Sequence, residues 1–526
     1  MNQTNQEPKT GRKLSKKWLS IILVAVFLIG GGVAAYVILD LSPKEKYFVA
    51  EHNSFDELRQ LLKNRYKEER EWLQTFQENP NENIFEVSAE LNDPMEDAMD
   101  EWMSPSQVIN NSSLTLETQT DLENQVMSFS LGGSSSGFSV EDFNLHLVSE
   151  DIIFEAPFLK DGIRVNGKEI GNILYTIDPW EFTGEESIDV PKVFERTQQF
   201  ISEEDKKHIE EKYMKMIYEE LPDHSFEEEK DTIDINDQSV KADKITMYLT
   251  EEEIKNILSH VLDTMEEDEQ FKEILLLGFQ DVFTSIAFDL MDEEELNTDD
   301  IEEGIQSLKD DIEDLEIPKG LTSTIWVQDK KVIKRDFSIE FGPSMDELVL
   351  LSITGTQSQD DSQQKFDYQF KGKDEFDEVE FSLTGDLGWK DNKGNDMVEI
   401  DLDEVKFTYE GSESIVDGEK EFKRKLNFTD DFGESGSLMW TGNASYAKDK
   451  MSSEHAFSII MDDLGSDFFT LYIDREGKKL KSVEAPKTDS MTDLGQMSED
   501  ELIDYFDEEF AVQLEDWIIK MFGPAW

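Results

Sequence analysis

Hydrophobic positions recur along this chain with two different periods. Over residues 54–76 they fall three or four apart, which is typical of the buried face of a helix. Over 81–188 and again over 321–484 they alternate with polar positions, which is typical of strands that bury one face. Helical spacing returns over 189–320. The pattern therefore predicts two antiparallel β-meanders with a mainly helical segment between them.

Capping boxes, in which a Ser or Thr is followed three residues later by Glu, mark three expected helix starts. They begin at Ser54, Thr250 and Ser498. The third opens an amphipathic stretch whose aromatic face includes Trp517 and whose opposite face is acidic. Helices that lie on membranes favour Lys and Arg on their polar face. We therefore expect residues 485–526 to be a linker and a C-terminal amphipathic helix packed on the sheet.

The N-terminal segment has the pattern of a membrane helix. Residues 19–39 carry no charged side chain, and as a helix they would span roughly 30 Å, the thickness of a hydrocarbon core. The basic residues before them are Lys9, Arg12, Lys13, Lys16 and Lys17, against a single acidic residue. By the positive-inside rule we expect a cytoplasmic basic tail over 1–17, a transmembrane helix over 18–40 and a helical stalk or lead-in helix over 41–80.

Two further interpretations of this segment stay open. Residues 33–35 resemble the cleavage site of a signal peptide, although the apolar run continues beyond them. Small residues spaced four apart, at Gly30, Gly31, Ala34 and Ala35, would let two such helices dimerise. The expected fold class is α+β, with an N-terminal transmembrane helix followed by large antiparallel β-meanders with packed helices. The expected location is the cell membrane, in a single pass with the N-terminus cytoplasmic and the bulk of the chain extracellular.

Composition narrows the class of protein. The 526 residues include 120 acidic and 50 basic side chains, for a formal net charge of −70. Such a chain repels phosphate, which argues against a nucleic-acid partner. The absence of cysteine excludes disulfides, zinc ribbons, iron–sulfur sites and a cysteine nucleophile. An acidic exterior without cysteine fits an exported protein on a Gram-positive cell surface.

Candidate chemistry is sparse. Residues 133–137 match G-x-S-x-G, but strand-like alternation on both sides favours a hairpin loop over a nucleophile elbow. Residues 391–396 offer oxygen ligands for calcium but lack the spacing of an EF-hand, which favours a plain turn. The histidines are scattered: His52, His146, His208, His224, His260 and His455. We therefore predict no catalytic, cofactor-binding or metal-binding residues and no cofactor.

The middle of the chain resembles known extracytoplasmic proteins. Residues 245–275 combine a strand, a capped helix and an acidic second helix, and the strand pattern of 323–341 follows. In this order they resemble membrane-anchored extracytoplasmic proteins of Bacillus-like Firmicutes. The general order is similar to that of lipoprotein carriers of the LolA and LppX type. The carriers imply a curved antiparallel sheet with helices on its concave face and a lipid-binding cavity. Their anchoring cysteine is missing here, so no functional residue is transferred.

These observations favour a membrane-anchored extracytoplasmic surface protein that is a non-catalytic binding or structural module rather than an enzyme. One alternative is a carrier or sensor of an apolar ligand, such as a lipid, held between a curved sheet and helices. A second alternative is an extracytoplasmic hydrolase. The expected partners are the membrane, through the N-terminal helix, and a cell-wall, lipid or protein ligand.

Overall fold

The computed structural model describes residues 41–92, 105–135, 137–198, 203–235, 238–276, 298–402, 404–430, 435–461 and 465–522. The chain divides into two compact units. The first consists of residues 1–64, 199–389 and 397–406, and the second of residues 65–198, 390–396 and 407–526. Each unit contains both strands and helices.

The helices are α1 (Pro43–Arg65), α2 (Lys67–Glu78), α3 (Pro105–Asn110), α4 (Ile170–Ile177), α5 (Val190–Gln198), α6 (Glu203–Ile209), α7 (Lys215–Glu220), α8 (Glu251–Glu266), α9 (Thr298–Asp314), α10 (Glu499–Asp504) and α11 (Ala511–Phe522). A π-helical turn joins α6 to α7 and another joins α10 to α11.

The strands are β1 (Asn81–Leu91), β2 (Ser112–Asp121), β3 (Val126–Ser135), β4 (Phe138–Val148), β5 (Asp151–Glu155), β6 (Ile163–Asn166), β7 (Phe226–Ile235), β8 (Gln238–Leu249), β9 (Leu321–Gln328), β10 (Lys331–Phe341), β11 (Val349–Asp360), β12 (Gln363–Lys373), β13 (Glu378–Lys390), β14 (Lys393–Asp401), β15 (Val405–Val416), β16 (Glu419–Asp430), β17 (Ser435–Tyr446), β18 (Lys450–Met461), β19 (Gly465–Lys479) and β20 (Thr492–Asp493).

In the first unit, strands β7 to β13 form an antiparallel sheet in chain order. Helices α1, α8 and α9 bury their apolar stripes in the core formed with β7 to β10. Tyr47, Ile254 and Ile305 come from the helices, and Ile325 and Phe337 from the strands. The segment 41–64 is therefore part of a core and not a stalk.

Helix α1 begins earlier than the capping box at Ser54 predicts. Ser42 and Glu45 form a reciprocal cap of their own, and Pro43 occupies the first helical turn, where a missing N–H is harmless. Ser54 lies inside the helix, and its hydroxyl accepts a hydrogen bond from the backbone N–H of Val332. By contrast, the capping box predicted at Thr250 is confirmed by both of its hydrogen bonds.

The segment 189–320, predicted to be mainly helical, contains the hairpin of β7 and β8. Acidic and lysine side chains dominate β7, and these residue types have low strand propensity. The hairpin forms because β8 pairs with β9 and buries Ile245 and Met247 against the helices. Tertiary burial thus outweighs local propensity here.

In the second unit, strand β1 pairs with β19 on one side and with β2 on the other. The sheet therefore runs β16–β17–β18–β19–β1–β2–β3–β4–β5–β6–β20, with every pair antiparallel except β6 with β20. Strands from both predicted meanders share this one sheet. The predicted α+β class is corrected to a mostly antiparallel β structure accompanied by some helices.

Among the described helices, none is long and apolar enough to cross a membrane. The longest of them, α1, carries charged side chains from end to end. This finding corrects the prediction that the chain is a single-pass protein of a Gram-positive cell membrane, with its N-terminus in the cytoplasm and the bulk of the chain outside the cell. It likewise corrects the membrane and helix-dimer contacts predicted through a transmembrane helix. Residues 18–40, on which those predictions depend, lie outside the described residues.

The C-terminal helices lie on the sheet of the second unit. Ser498 and Glu501 form both bonds of their capping box at the start of α10. On α11, the Trp517 ring packs against Phe143 of β4 and against Phe158, with ring centroids 6.0 Å apart in both pairs. The aromatic face of this helix is therefore in contact with the sheet.

We expect Trp517→Ala to lower the free energy of unfolding by about 2–4 kcal/mol, because it removes a large ring from an aromatic cluster. Ile519→Ala is the matched control, since Ile519 lies on the same helix and is 40% exposed. Thermal unfolding of the full-length variants measures both effects. Equal losses in the two variants would contradict the packing role of Trp517.

Candidate functional site

One face of the second unit's sheet collects the side chains with the most unusual environments. Alternate residues of a strand point to the same face, and directly paired residues share it. In register across β16 to β19 and β1, one row is Arg424, Trp440, Phe457, Leu471 and Ala89. We call the surface that contains this row the inner face. Helix α2 covers one end of it, where the Trp72 ring lies against Gly477.

At the covered end, three ionised side chains form a buried cluster. The Nε of Arg65 donates to Glu413 at 2.6 Å, and its two terminal nitrogens donate to the two oxygens of Asp396 at 2.9 and 2.7 Å. The side chains of Arg65, Asp396 and Glu413 are 3%, 4% and 1% exposed. Burial alone would lower the pKa of Arg65, but the hydrogen bonds from both carboxylates outweigh it and raise that pKa.

Further charges extend this cluster along the inner face. Lys420 forms ion pairs with Glu69 and Glu413, and its ammonium lies 4.5 Å from the centre of the Tyr66 ring. Arg424, four residues further along β16, lies 3.5 Å from Glu413. We call Arg65, Glu69, Asp396, Glu413 and Lys420 the ion cluster. It ties α2 and the end of α1 to strands β14, β15 and β16.

Beyond Arg424 the inner face becomes apolar and open. Leu426, Phe428, Leu438 and Met461 are each between 42% and 45% exposed. Leu426 is directly opposite Leu438, while Phe428 and Met461 are both opposite Gly436, where the Phe428 ring fills the space of the missing side chain. We call these four residues the open strip.

Apolar exposure continues across the sheet from the open strip. Next to Leu438 in register come Ile459, Phe469 and Leu91. On β2 and β3, Leu114 and Leu131 are 46% and 44% exposed on the same face. From β16 to β3 this is seven strands, or roughly 30 Å. Exposed apolar surface on this scale is typical of a binding site.

The two sequence motifs form β-hairpins, and Asp396 at the end of the second belongs to the ion cluster. Gly133 to Ser135 end β3 and Phe138 begins β4, so the G-x-S-x-G match belongs to a β-hairpin with no following helix. Asp391 and Asn392 form the turn between β13 and β14 with positive φ of 51° and 59°.

Five of the six histidines have separate neighbours. His146 contacts Ser128 and Glu155, His208 contacts Asp268, His224 contacts Glu253, His260 contacts Glu220, and His455 contacts Trp440 and Ser453. Within the described ranges, no group of three or more His, Asp or Glu side chains is arranged to hold a metal ion.

In the first unit, Asp268 is a buried carboxylate surrounded by donors. His208, Lys212 and the Tyr213 hydroxyl all lie 2.8 Å from its Oδ2, and the Phe271 backbone donates to its Oδ1. Burial would raise the pKa of Asp268, but these hydrogen bonds outweigh it and hold that pKa below its usual range. This arrangement stabilises the start of the helical residues 269–276.

Sequence analysis missed both the ion cluster and the open strip. One signal was available, since glycines within strands often mark a close approach of other groups. A side chain at Gly394 would meet the Arg65 guanidinium at 3.0 Å, and one at Gly411 would meet the Tyr409 hydroxyl at 2.7 Å. The acidic partners themselves were not distinguishable among 120 acids.

No protein-family model and no curated protein matches the chain. Among solved structures, it is similar to a loop L8 deletion mutant of OmpT, an outer membrane protein of Vibrio cholerae, with 6% identity and a TM-score of 0.21 over 76% of this chain and 98% of that one. OccK1 (OpdK) of Pseudomonas aeruginosa is 5% identical, with a TM-score of 0.24 over 76% of this chain and 98% of that one. OccAB2 of Acinetobacter baumannii is 5% identical, with a TM-score of 0.23 over 77% of this chain and 98% of that one. These TM-scores are too low to support a conclusion about this chain.

The resemblance to extracytoplasmic proteins of Bacillus-like Firmicutes and to LolA and LppX carriers is corrected, since no family model and no curated protein of either kind matches the chain. It depended on a strand, a capped helix and a further strand pattern over 245–341. In the structure these are β8, α8, β9 and β10. Such elements occur in many folds, so their order does not identify a family.

We expect Asp396→Ala to lower the free energy of unfolding by about 3–5 kcal/mol, because the Arg65 charge stays buried and loses both of its hydrogen bonds to Asp396. Glu71→Ala is the control. It removes an exposed partner of Lys67, and a change within about 0.5 kcal/mol is expected. Urea titration of the full-length chain measures both. An effect of Asp396→Ala as small as that of the control would contradict a structural role for the cluster.

The Asp268 site predicts a pH-dependent stability. A carboxyl whose pKa is lowered by folding stabilises the protein above its unfolded pKa, ordinarily 3.8, and loses that contribution as the pH falls further. Asp268→Asn should therefore destabilise the chain at neutral pH, and its difference from the wild type should shrink below about pH 4. Urea titrations at several pH values test this. A difference that is constant with pH would contradict it.

Proposed function

We propose that this chain is a non-catalytic binding protein that holds the apolar chain of a lipid-like ligand on the inner face of its second unit. The observation that carries this proposal is the open strip, where four large apolar side chains of one sheet face stay more than two-fifths exposed. Covering them with a ligand would contribute about 1 kcal/mol or more per side chain.

The kind of ligand follows from the shape and chemistry of this surface. It is made of strand residues in regular register, and apolar side chains follow one another along β18 at Phe457, Ile459 and Met461. Alternate residues on a strand lie about 6.6 Å apart, so these three define a line of more than 10 Å. An extended hydrocarbon chain can contact each of them in turn.

Two features support binding rather than catalysis. Five of the six histidines have partners at separate places in the chain, and the G-x-S-x-G match lies in a hairpin. Arg424, beside the open strip, is paired with Glu413, and the ion cluster stabilises the sheet and α2. What this surface offers a ligand is apolar contact.

The test is the affinity of the full-length chain for dodecanol, a neutral single-chain probe. Leu438→Asn should weaken dodecanol binding about five- to thirtyfold, because an amide replaces an apolar contact worth about 1–2 kcal/mol. Folding should be retained, since Leu438 is 42% exposed.

Val416→Asn is the matched control. Val416 is 61% exposed, and strand alternation from the buried Glu413 places it on the opposite face of β15. Its affinity for dodecanol should equal that of the wild type. Failure of the wild type to bind dodecanol, or an equal loss in both variants, would overturn the proposed function.

A further inference from the structure

Arg475 of β19 is a cation on the inner face that forms no ion pair with any carboxylate of the described residues. Its Nε and Nη2 donate to the side-chain oxygen of Asn83 at 3.1 and 2.8 Å, and its guanidinium lies 5.2 Å from the centre of the Phe85 ring. Burial accordingly lowers the pKa of Arg475.

This environment is unusual for a chain in which acids outnumber bases by more than two to one. Removing a guanidinium from water without a counter-charge costs free energy. A guanidinium has five N–H donors, and Asn83 accepts from only two of the nitrogens. The remaining donors suit an oxyanion, for which arginine is the preferred partner in proteins.

A histidine and a second cation lie on the same face, His455 on the strand next to Arg475 and Arg424 three strands away from it. Arg424 lies 4.3 Å from the centre of the Trp440 ring, and its side chain is 18% exposed. Nδ1 of His455 accepts from the Trp440 indole at 3.2 Å. Burial lowers the pKa of His455, and the nearby charges of Arg424 and Arg475 lower it further. His455 is thus neutral at pH 7 and lies in a positive local field.

Arg475 stands at the inner end of the apolar line on β18, directly opposite Ser453, while Arg424 is level with Phe457. His455, Phe457, Ile459 and Met461 alternate along one face of that strand, from beside Arg475 to the open strip. Six residues of strand span roughly 20 Å. A single-chain amphiphile with its acidic group beside Arg475 would lay its tail along this line.

We propose that Arg475 binds the anionic head group of an amphiphile whose apolar chain lies on the open strip. This inference rests on the proposed function and specifies the ligand class. The shared chemistry is a carboxylate or phosphate on a hydrocarbon chain. A fatty acid and a phosphorylated lipid are the two sources of that chemistry.

The experiment compares the full-length chain's affinity for dodecanoate, dodecyl phosphate, dodecanol and dodecyltrimethylammonium, which share one chain length. The wild type should bind the two anions more tightly than dodecanol, and the cation most weakly. Arg475→Gln should weaken binding of the anions about tenfold or more while leaving dodecanol unchanged. Tighter binding of dodecanoate points to a fatty acid, and tighter binding of dodecyl phosphate points to a phosphorylated lipid.

Lys423→Gln is the control, since it removes an exposed positive charge from the opposite face of β16 and should change no affinity. Arg475→Lys keeps the charge but not the planar donors, and it should lose part of the preference for anions over dodecanol. This variant carries the test if Arg475→Gln does not fold.

The outcomes separate the two proposals. Suppose that dodecanol binds and that Leu438→Asn weakens its binding. If the two anions then bind no more tightly than dodecanol, or if both Arg475 variants still prefer the anions to the same extent, the head-group site is wrong and the proposed function stands. If none of the four probes binds to the wild type, the proposed function itself fails and this inference fails with it.

Discussion

The double pairing of strand β1 is the constraint on which the second unit depends. β1 follows α2 directly in the chain, yet its partners are β2 on one edge and β19, from near the end of the sequence, on the other. A slip of one residue in either pairing would turn its alternating side chains to the wrong face. Phe85 would then leave Arg475, and Val87 would leave Ile473 and Leu114. The continuous inner face exists because both registers are satisfied at once.

The inner face has a charged end, which α2 covers, and an apolar part, which is open. Where α2 covers it, water is excluded, and the buried charges are compensated within the ion cluster. Where no described helix covers it, the side chains are Leu, Phe and Met, which need no partner. Arg424 and Arg475 stand at the boundary between these regions, with aromatic rings against their guanidinium groups. An amphiphilic molecule fits such a surface, because the molecule is also polar at one end and apolar at the other.

Alternation along the sequence predicted most of the strands because many of them bury one face, as Phe337, Ile339 and Phe341 do within β10. It does not mark the break between β14 and β15, because residues 402–404 contain neither Gly nor Pro. The ion cluster was beyond sequence reasoning. Arg65 is separated from Asp396 by 331 positions and from Glu413 by 348, so only the register of the folded sheet brings them together. The start of α1 was misplaced because Ser42 and Ser54 both fit the capping pattern, and only tertiary burial of Tyr47 and Phe48 decides between them.

The charge of the chain bears on how an open apolar strip can persist. Exposed apolar strand residues favour association between copies, since each copy offers the same surface. A net charge of −70 opposes that association by long-range repulsion, which is strongest at low ionic strength. The same field would repel an anionic ligand approaching from solution, so any affinity for one has to arise locally. On the inner face it has a local source, because Arg475 lacks an acidic partner among the described residues and Arg424 shares Glu413 with Arg65 and Lys420. The acidic exterior and the two arginines on the inner face therefore have separate roles. The acidic exterior keeps copies of the chain apart, and the arginines select the ligand that binds to the open strip.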